Sequence, residues 1–173
     1  MRIFFLAVFL LLPLPALADA PVTVDIRWEY HKFGAKVELY EVDDRPRLWE
    51  TKSVKSLTEA PVTDPIEGSS IRLNAGRKKR FALVVRNETT EPLYFFAAPH
   101  VINPAEHSLG FKFKCLCINH AFAIGPGEVW YRIVEFWLSK NFVGDRLTVT
   151  HSIINVDKAR AEAFALKPKP SDF

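Results

Sequence analysis

Val22, Val24, Ile26, Trp28 and Tyr30 alternate with Thr23, Asp25, Arg27, Glu29 and His31. A period of two fits a strand with one buried face and rules out a helix, whose apolar positions recur every three or four residues. The same alternation returns at Phe81, Leu83 and Val85, and again at Leu147, Val149, His151 and Ile153. Ala35 to Val42 reads as a hairpin partner of the first strand, with Phe33-Gly34 as the turn. Leu48 to Leu57, Ile71 to Leu73, Leu93 to Ala98 and Gly110 to Asn119 read as further strands. Val129 to Leu138 is apolar on both faces and belongs at the centre of a sheet. Breakers separate these runs: Asp43-Asp44-Arg45-Pro46, the irregular Pro61 to Gly68, Asn74-Ala75-Gly76, the Pro104-bearing loop His100 to Leu109, and Gly125-Pro126-Gly127-Glu128. Only the alanine-rich Lys158 to Leu166 reads as helical. The pattern predicts an all-β sandwich of about seven to nine strands with a short C-terminal helical segment, a barrel being the alternative.

The chain has 173 residues, of which 13% are aromatic and 25% charged, so it can bury a core and is not of disordered composition. Residues 1–20, MRIFFLAVFLLLPLPALADA, carry one early positive charge, an apolar run and small residues at Ala16, Ala18 and Ala20. That is the layout of a secretory signal peptide, with an uncleaved membrane anchor as the alternative. The run is shorter than the ~20 residues that comfortably span a bilayer. No internal repeat or linker divides the rest, so 21–166 reads as one domain and 167–173 as a loose tail. A net charge of +3 gives no argument for a nucleic-acid partner. The one basic run, Arg77-Lys78-Lys79-Arg80, reads as a solvated turn, or as a contact for anionic lipid or an acidic partner.

The only two cysteines are Cys115 and Cys117, in FKFKCLCINH. In a strand, residues i and i+2 share a face, and two thiolates on one face make a soft two-pronged ligand suited to Cu(I), zinc or iron–sulfur clusters. Their Cα atoms would lie roughly 6.6 Å apart, near the strained edge of disulfide geometry, so reversible thiol chemistry or metal capture fits better than a permanent bond. Phe111 and Phe113 share the parity of the cysteines, whereas Leu116 and Ile118, which also look like core, have the opposite parity. A bulge or kink near Lys114 resolves the conflict by turning Leu116 and Ile118 inward and the thiols outward. The alternative is that the cysteines are two small buried apolar residues. His120, three residues after Cys117, is the histidine best placed to join the site; His100 and His107 are the next candidates. The only methionine is Met1, so no thioether ligand survives processing. The spacing matches no usual zinc pattern, and Cu(I) accepts two or three soft ligands, so copper is the expected ion. Asn87-Glu88-Thr89 matches a glycosylation sequon or marks a turn. No nucleophile setting or phosphate loop is present, and the chain reads as a non-enzyme.

The order NETTEP turn, apolar strand, proline loop, FKFKCLCIN, Pro-Gly-Glu turn and closing alternating strand resembles the copper-delivery assembly factors of cytochrome c oxidase, the CtaG family. Cys115 and Cys117 match that family's motif cysteines, Lys112 its preceding lysine, Asn87 its turn asparagine and Pro126-Gly127 its turn. The resemblance runs over roughly 70–156 and more faintly over 21–69. It implies an immunoglobulin-like sandwich and Cu(I) held by the two thiols. It also implies a periplasmic copper chaperone, secreted or anchored at the outer face of the inner membrane, that serves a membrane-bound copper enzyme such as cytochrome c oxidase. A homodimer sharing copper fits the same chemistry, with Lys112 or Lys114 attracting an acidic partner or offsetting thiolate charge. Leu116 and Ile118 stand where the motif has aromatics, His120-Ala121 where it continues with glutamine, and Trp137-Leu138-Ser139-Lys140 where it has an aspartate-proline segment. These departures leave room for an accessory subunit that docks on a membrane respiratory complex without delivering copper, and, less well supported by the pattern, for a thiol–disulfide enzyme.

Overall fold

The computed structural model describes residues 20–165. The signal peptide read over 1–20, apart from Ala20, and the tail read over 167–173 lie outside the described residues. In chain order the strands are β1 (Val22–His31), β2 (Val37–Val42), β3 (Thr51–Val54), β4 (Val62–Pro65), β5 (Ser70–Leu73), β6 (Lys78–Arg86), β7 (Leu93–Ala97), β8 (Val101–Asn103), β9 (Phe111–Lys114), β10 (Ala121–Ile124), β11 (Val129–Leu138) and β12 (Arg146–Asn155). One helix, α1 (Lys158–Ala165), follows where a helical segment is expected. One sheet runs β10-β7-β12-β1-β5 with β8 also on β12; the other runs β3-β11-β6-β2-β4 with β9 also on β11. The result is the all-β sandwich, consistent with the immunoglobulin-like class. The twelve described strands exceed the expected seven to nine because β4, β8 and β10, each of only three or four residues, form where no strand was expected. β4 falls in the segment expected to be irregular; its Pro65 is tolerated at the end of a strand on the sheet edge.

β1 and β2 do not form a hairpin. β1 pairs in parallel with β12 and antiparallel with β5, whereas β2 pairs with β6 and β4 in the other sheet. Tight hairpin turns have two residues, whereas the segment from Lys32 to Lys36 is long enough to cross the ~10 Å between stacked sheets. Each strand then turns its apolar parity toward the same interior. Val24 and Ile26 on β1, Leu147, Val149 and Ile153 on β12, Phe81, Leu83 and Val85 on β6, and Trp130, Val134 and Phe136 on β11 all lie in one core. Phe95 on β7 bridges the sheets, with its ring 5.3 Å from Trp130 and 5.2 Å from Phe122. β11 is buried on both faces, as its sequence predicts. Its outward Tyr131 and Ile133 are roofed by Ala60, Leu57 and Val62 in a second cluster.

Asn87 ties two turns together. It is 1% exposed, and its amide nitrogen donates to the carbonyls of Glu91, Ile124 and Gly125 at 2.8, 3.2 and 3.0 Å. Its Oδ1 accepts from the Thr89 backbone N–H and hydroxyl. The Asn87–Pro92 turn is thereby locked to the Pro126-Gly127 turn, where Gly127 adopts the left-handed φ of +65°. A glycan needs that nitrogen free, so the turn reading of the sequon holds in the folded chain. Asn87→Ala removes a donor shared by three carbonyls of two turns, one of them buried, and a loss of about 2–3 kcal/mol in unfolding free energy is expected from urea melts.

Both sheets are interrupted on the same side. β7 and β8 share one edge of β12, β7 on Ile153–Asn155 and β8 on Thr148–Thr150, so the edge ladder breaks opposite His151 and Ser152. β9 and β3 share one edge of β11, β9 on Glu135–Leu138 and β3 on Val129–Arg132. After β9 the chain leaves that edge and crosses to β10 in the opposite sheet. The crossing segment carries both cysteines, so they lie outside the regular strand that Gly110 to Asn119 was expected to form.

Candidate metal centre

The expected kink occurs where β9 ends, at Lys114. Leu116 turns into the core at 1% exposure, and Ile118 packs against it. The thiols, however, do not turn out to solvent: Cys115 is 4% exposed and Cys117 half-buried. The reason is the position of the kink. The segment bends over the open edge between the sheets, so a side chain of either parity finds protein beneath it. The bend is closed by Ile118 N–H donating to the Leu116 carbonyl at 2.8 Å, and by Asn119 in the left-handed region.

Two histidines meet the sulfurs from the opposite sheet. His100 sits in the break between β7 and β8, and His151 lies on β12 at that break, fully buried. The two Sγ atoms are 3.3 Å apart and unbonded. Cys117 Sγ is 3.4 Å from His151 Nδ1 and 3.8 Å from His100 Nδ1; Cys115 Sγ is 4.0 Å from His100 Nδ1. One ligand atom from each of the four residues falls within 4.8 Å of the other three, so His100, Cys115, Cys117 and His151 form a group that could hold a metal ion. In a tetrahedral site with Zn–S about 2.3 Å and Zn–N about 2.0–2.1 Å, the ligand atoms stand roughly 3.3–3.8 Å apart. The sulfur–sulfur and sulfur–nitrogen separations of 3.3, 3.4, 3.8 and 4.0 Å lie in or close to that range.

His120, the expected third ligand, is not in the group. The left-handed turn at Asn119 delivers it to the start of β10, where its ring meets Phe122 edge-on at 5.4 Å. His107 stacks obliquely on Phe142 at 4.6 Å, also away from the sulfurs. His100 was the lesser candidate in the sequence, and His151 was read only as part of a strand face. A histidine alternating with Leu147, Val149 and Ile153 is the signal that could have singled it out, because a core position rarely holds an imidazole without a partner.

The surroundings are apolar above and cationic to one side. Trp28 stacks on His151 with centroids 5.2 Å apart, Phe113 meets it at 5.5 Å, and Phe111 and Phe113 flank His100. His151 Nε2 and Trp28 Nε1 are buried with no hydrogen-bond partner. The hydrogen bond between the two sulfurs holds the Cys115 thiol well below the ordinary thiol pKa despite its burial. The same contact, with burial and the charge on Cys115, pushes Cys117 up.

Lys112 and Lys114 are not the cations beside the thiols. They project from the outer face of β9, over the indoles of Trp137 and Trp49, beside a shallow 220 Å³ cleft shared with Lys78 and Glu135. The basic run 77–80 is likewise more ordered than a solvated turn. Its last three residues open β6, where Lys79 pairs with Glu41, and Lys78 and Arg80 with Glu135. The charge near the site is Arg132, which sequence reasoning passed over although it is the lone cation in an apolar strand. Its Nε donates to the Cys115 carbonyl at 3.2 Å, and its Nη1 to Thr51 Oγ1 at 2.6 Å. Burial lowers its pKa, and the charge on Cys115 opposes that shift.

Residues 22–156 match the model of a family described as "Domain of unknown function (DUF8709)". No curated protein matches the chain.

Proposed function

The chain belongs to the DUF8709 family, and from its site we propose that it binds Cu(I) through Cys115 and Cys117, with His100 and His151 completing the shell. The observation that carries the reading is the convergence of two thiols and two imidazole Nδ1 atoms from three separate segments: the crossing after β9, the β7–β8 break and β12. Two thiolates make a soft donor set, which favours Cu(I) over hard cations. The role is that of a carrier outside the cytoplasm, which passes the ion to a membrane copper enzyme such as cytochrome c oxidase. The leader pattern and the motif resemblance support that placement. The site is also unequal: Cys115 and His151 are buried, whereas Cys117 and His100 are half-buried on connecting segments. The second pair gives an incoming ligand a way to take the ion by exchange.

A second reading is a structural zinc site, favoured by the count of two sulfur and two nitrogen ligands and by the site's partial closure. One experiment separates them. The reduced chain is titrated anaerobically with Cu(I) against a chromophoric chelator, and in parallel with Zn(II). One Cu(I) per chain, held more tightly than Zn(II), is the expected outcome. Uptake of neither ion contradicts both readings, and a preference for Zn(II) favours the second.

A further inference from the structure

We infer that Arg132 makes the site select a monovalent over a divalent soft metal ion; the inference rests on the Cu(I) reading and names what sets its specificity. Arg132 shares the inward parity of Trp130 and Val134 on β11, and it is 5% exposed. Its guanidinium contacts the Cys115 carbonyl, the Thr51 hydroxyl and the face of Phe122, 5.7 Å from the ring centroid. Among the described residues no carboxylate pairs with it. The acids on neighbouring strand positions are engaged elsewhere: Glu50 with Lys52 and the Tyr131 hydroxyl, Glu135 with Arg80 and Lys78, and Glu128 with Lys55. Its hydrogen-bond and ring partners are neutral, and a buried cation is costly unless a nearby anion completes it.

The count of charges identifies that anion. With either ion bound, both sulfurs are thiolates and both imidazoles are neutral. With Cu(I) the centre carries −1, and Arg132 brings the sum to zero. With Zn(II) the centre is neutral, and Arg132 is left as an uncompensated buried charge. The guanidinium therefore favours the monovalent complex and disfavours the divalent one. Ag(I), soft and monovalent, should follow Cu(I).

The test compares Cu(I), Ag(I) and Zn(II) affinities of the reduced full chain with those of Arg132→Met, Arg132→Gln and Arg132→Lys. Removing the charge should weaken Cu(I) and Ag(I) by at least about tenfold, the scale of one unit charge acting across several ångströms at an effective dielectric near 20. Zn(II) affinity should hold or rise. Arg132→Lys should keep the monovalent preference, and so should Thr51→Val, which loosens the guanidinium without discharging it. An equal fall for all three ions would mean that Arg132 only props the loop, and no change would mean that it has no part in selection; either result overturns the inference. Arg132→Gln supplies the same readout if the methionine variant fails to fold. Failure of the unmodified chain to bind Cu(I) is a separate result, and it removes the Cu(I) reading itself.

Discussion

Cys115→Ser/Cys117→Ser is expected to lower Cu(I) affinity by at least about three orders of magnitude, because both soft donors and both negative charges go together. The hydroxyls that replace the thiols are hard and stay protonated near neutral pH, so only the two imidazoles remain. The fold should survive. Serine fits where cysteine sat, and the position 117 hydroxyl has the Ala98 carbonyl within reach, now 3.2 Å from Cys117 Sγ. The loss in unfolding free energy should stay near 1–2 kcal/mol, the usual range for replacing a small buried apolar group by a hydroxyl that finds a partner. Competition titration of both proteins, alongside thermal melts of the metal-free forms, checks the pair of statements. A variant that keeps wild-type affinity would show that copper binds elsewhere.

His151→Leu should move stability and binding in opposite directions. His151 is fully buried, its Nε2 has no partner, and it stacks on Trp28 among apolar rings. A buried polar atom left unsatisfied costs about 1–3 kcal/mol, so leucine, of similar volume, should leave the metal-free chain as stable as before or more stable by about 1 kcal/mol. The same change removes the imidazole nearer to Cys117 and should weaken Cu(I) by about a hundredfold, the upper end of what even indirect ligand support is worth. Stability kept at the expense of function is the mark of a functional residue in a core. A destabilised metal-free variant, with copper affinity unchanged, would make His151 an ordinary core residue.

Strand periodicity carried much of this architecture. β1 and β12 alternate as half-buried strands do, and β11 is apolar on both faces because the structure covers both; β6, whose sequence also alternates, is instead buried on both faces, since the second cluster covers Ala82 and Val84. Pairing was less legible: nothing local in Val22–His31 and Val37–Val42 says that they part into different sheets, since each shows only which of its faces is buried. The parity conflict among Phe113, Cys115 and Leu116 did foretell that the strand must stop near Lys114. It could not say which way the thiols would point, because that depends on what lies beneath the bend. His151 is 34 residues from Cys117, and no spacing rule links them. They meet because the ladders on β11 and β12 break on the same side, a property of pairing rather than of any motif. Arg132 was visible as a charge in an apolar strand, and its meaning needed the Cys115 carbonyl beside it.

X-ray absorption at the copper edge of the Cu(I)-loaded full-length protein probes the centre most directly. Two sulfur scatterers with one or two imidazole nitrogens around a single monovalent ion are the predicted spectrum. A shell of nitrogen and oxygen alone would contradict the four-residue copper centre.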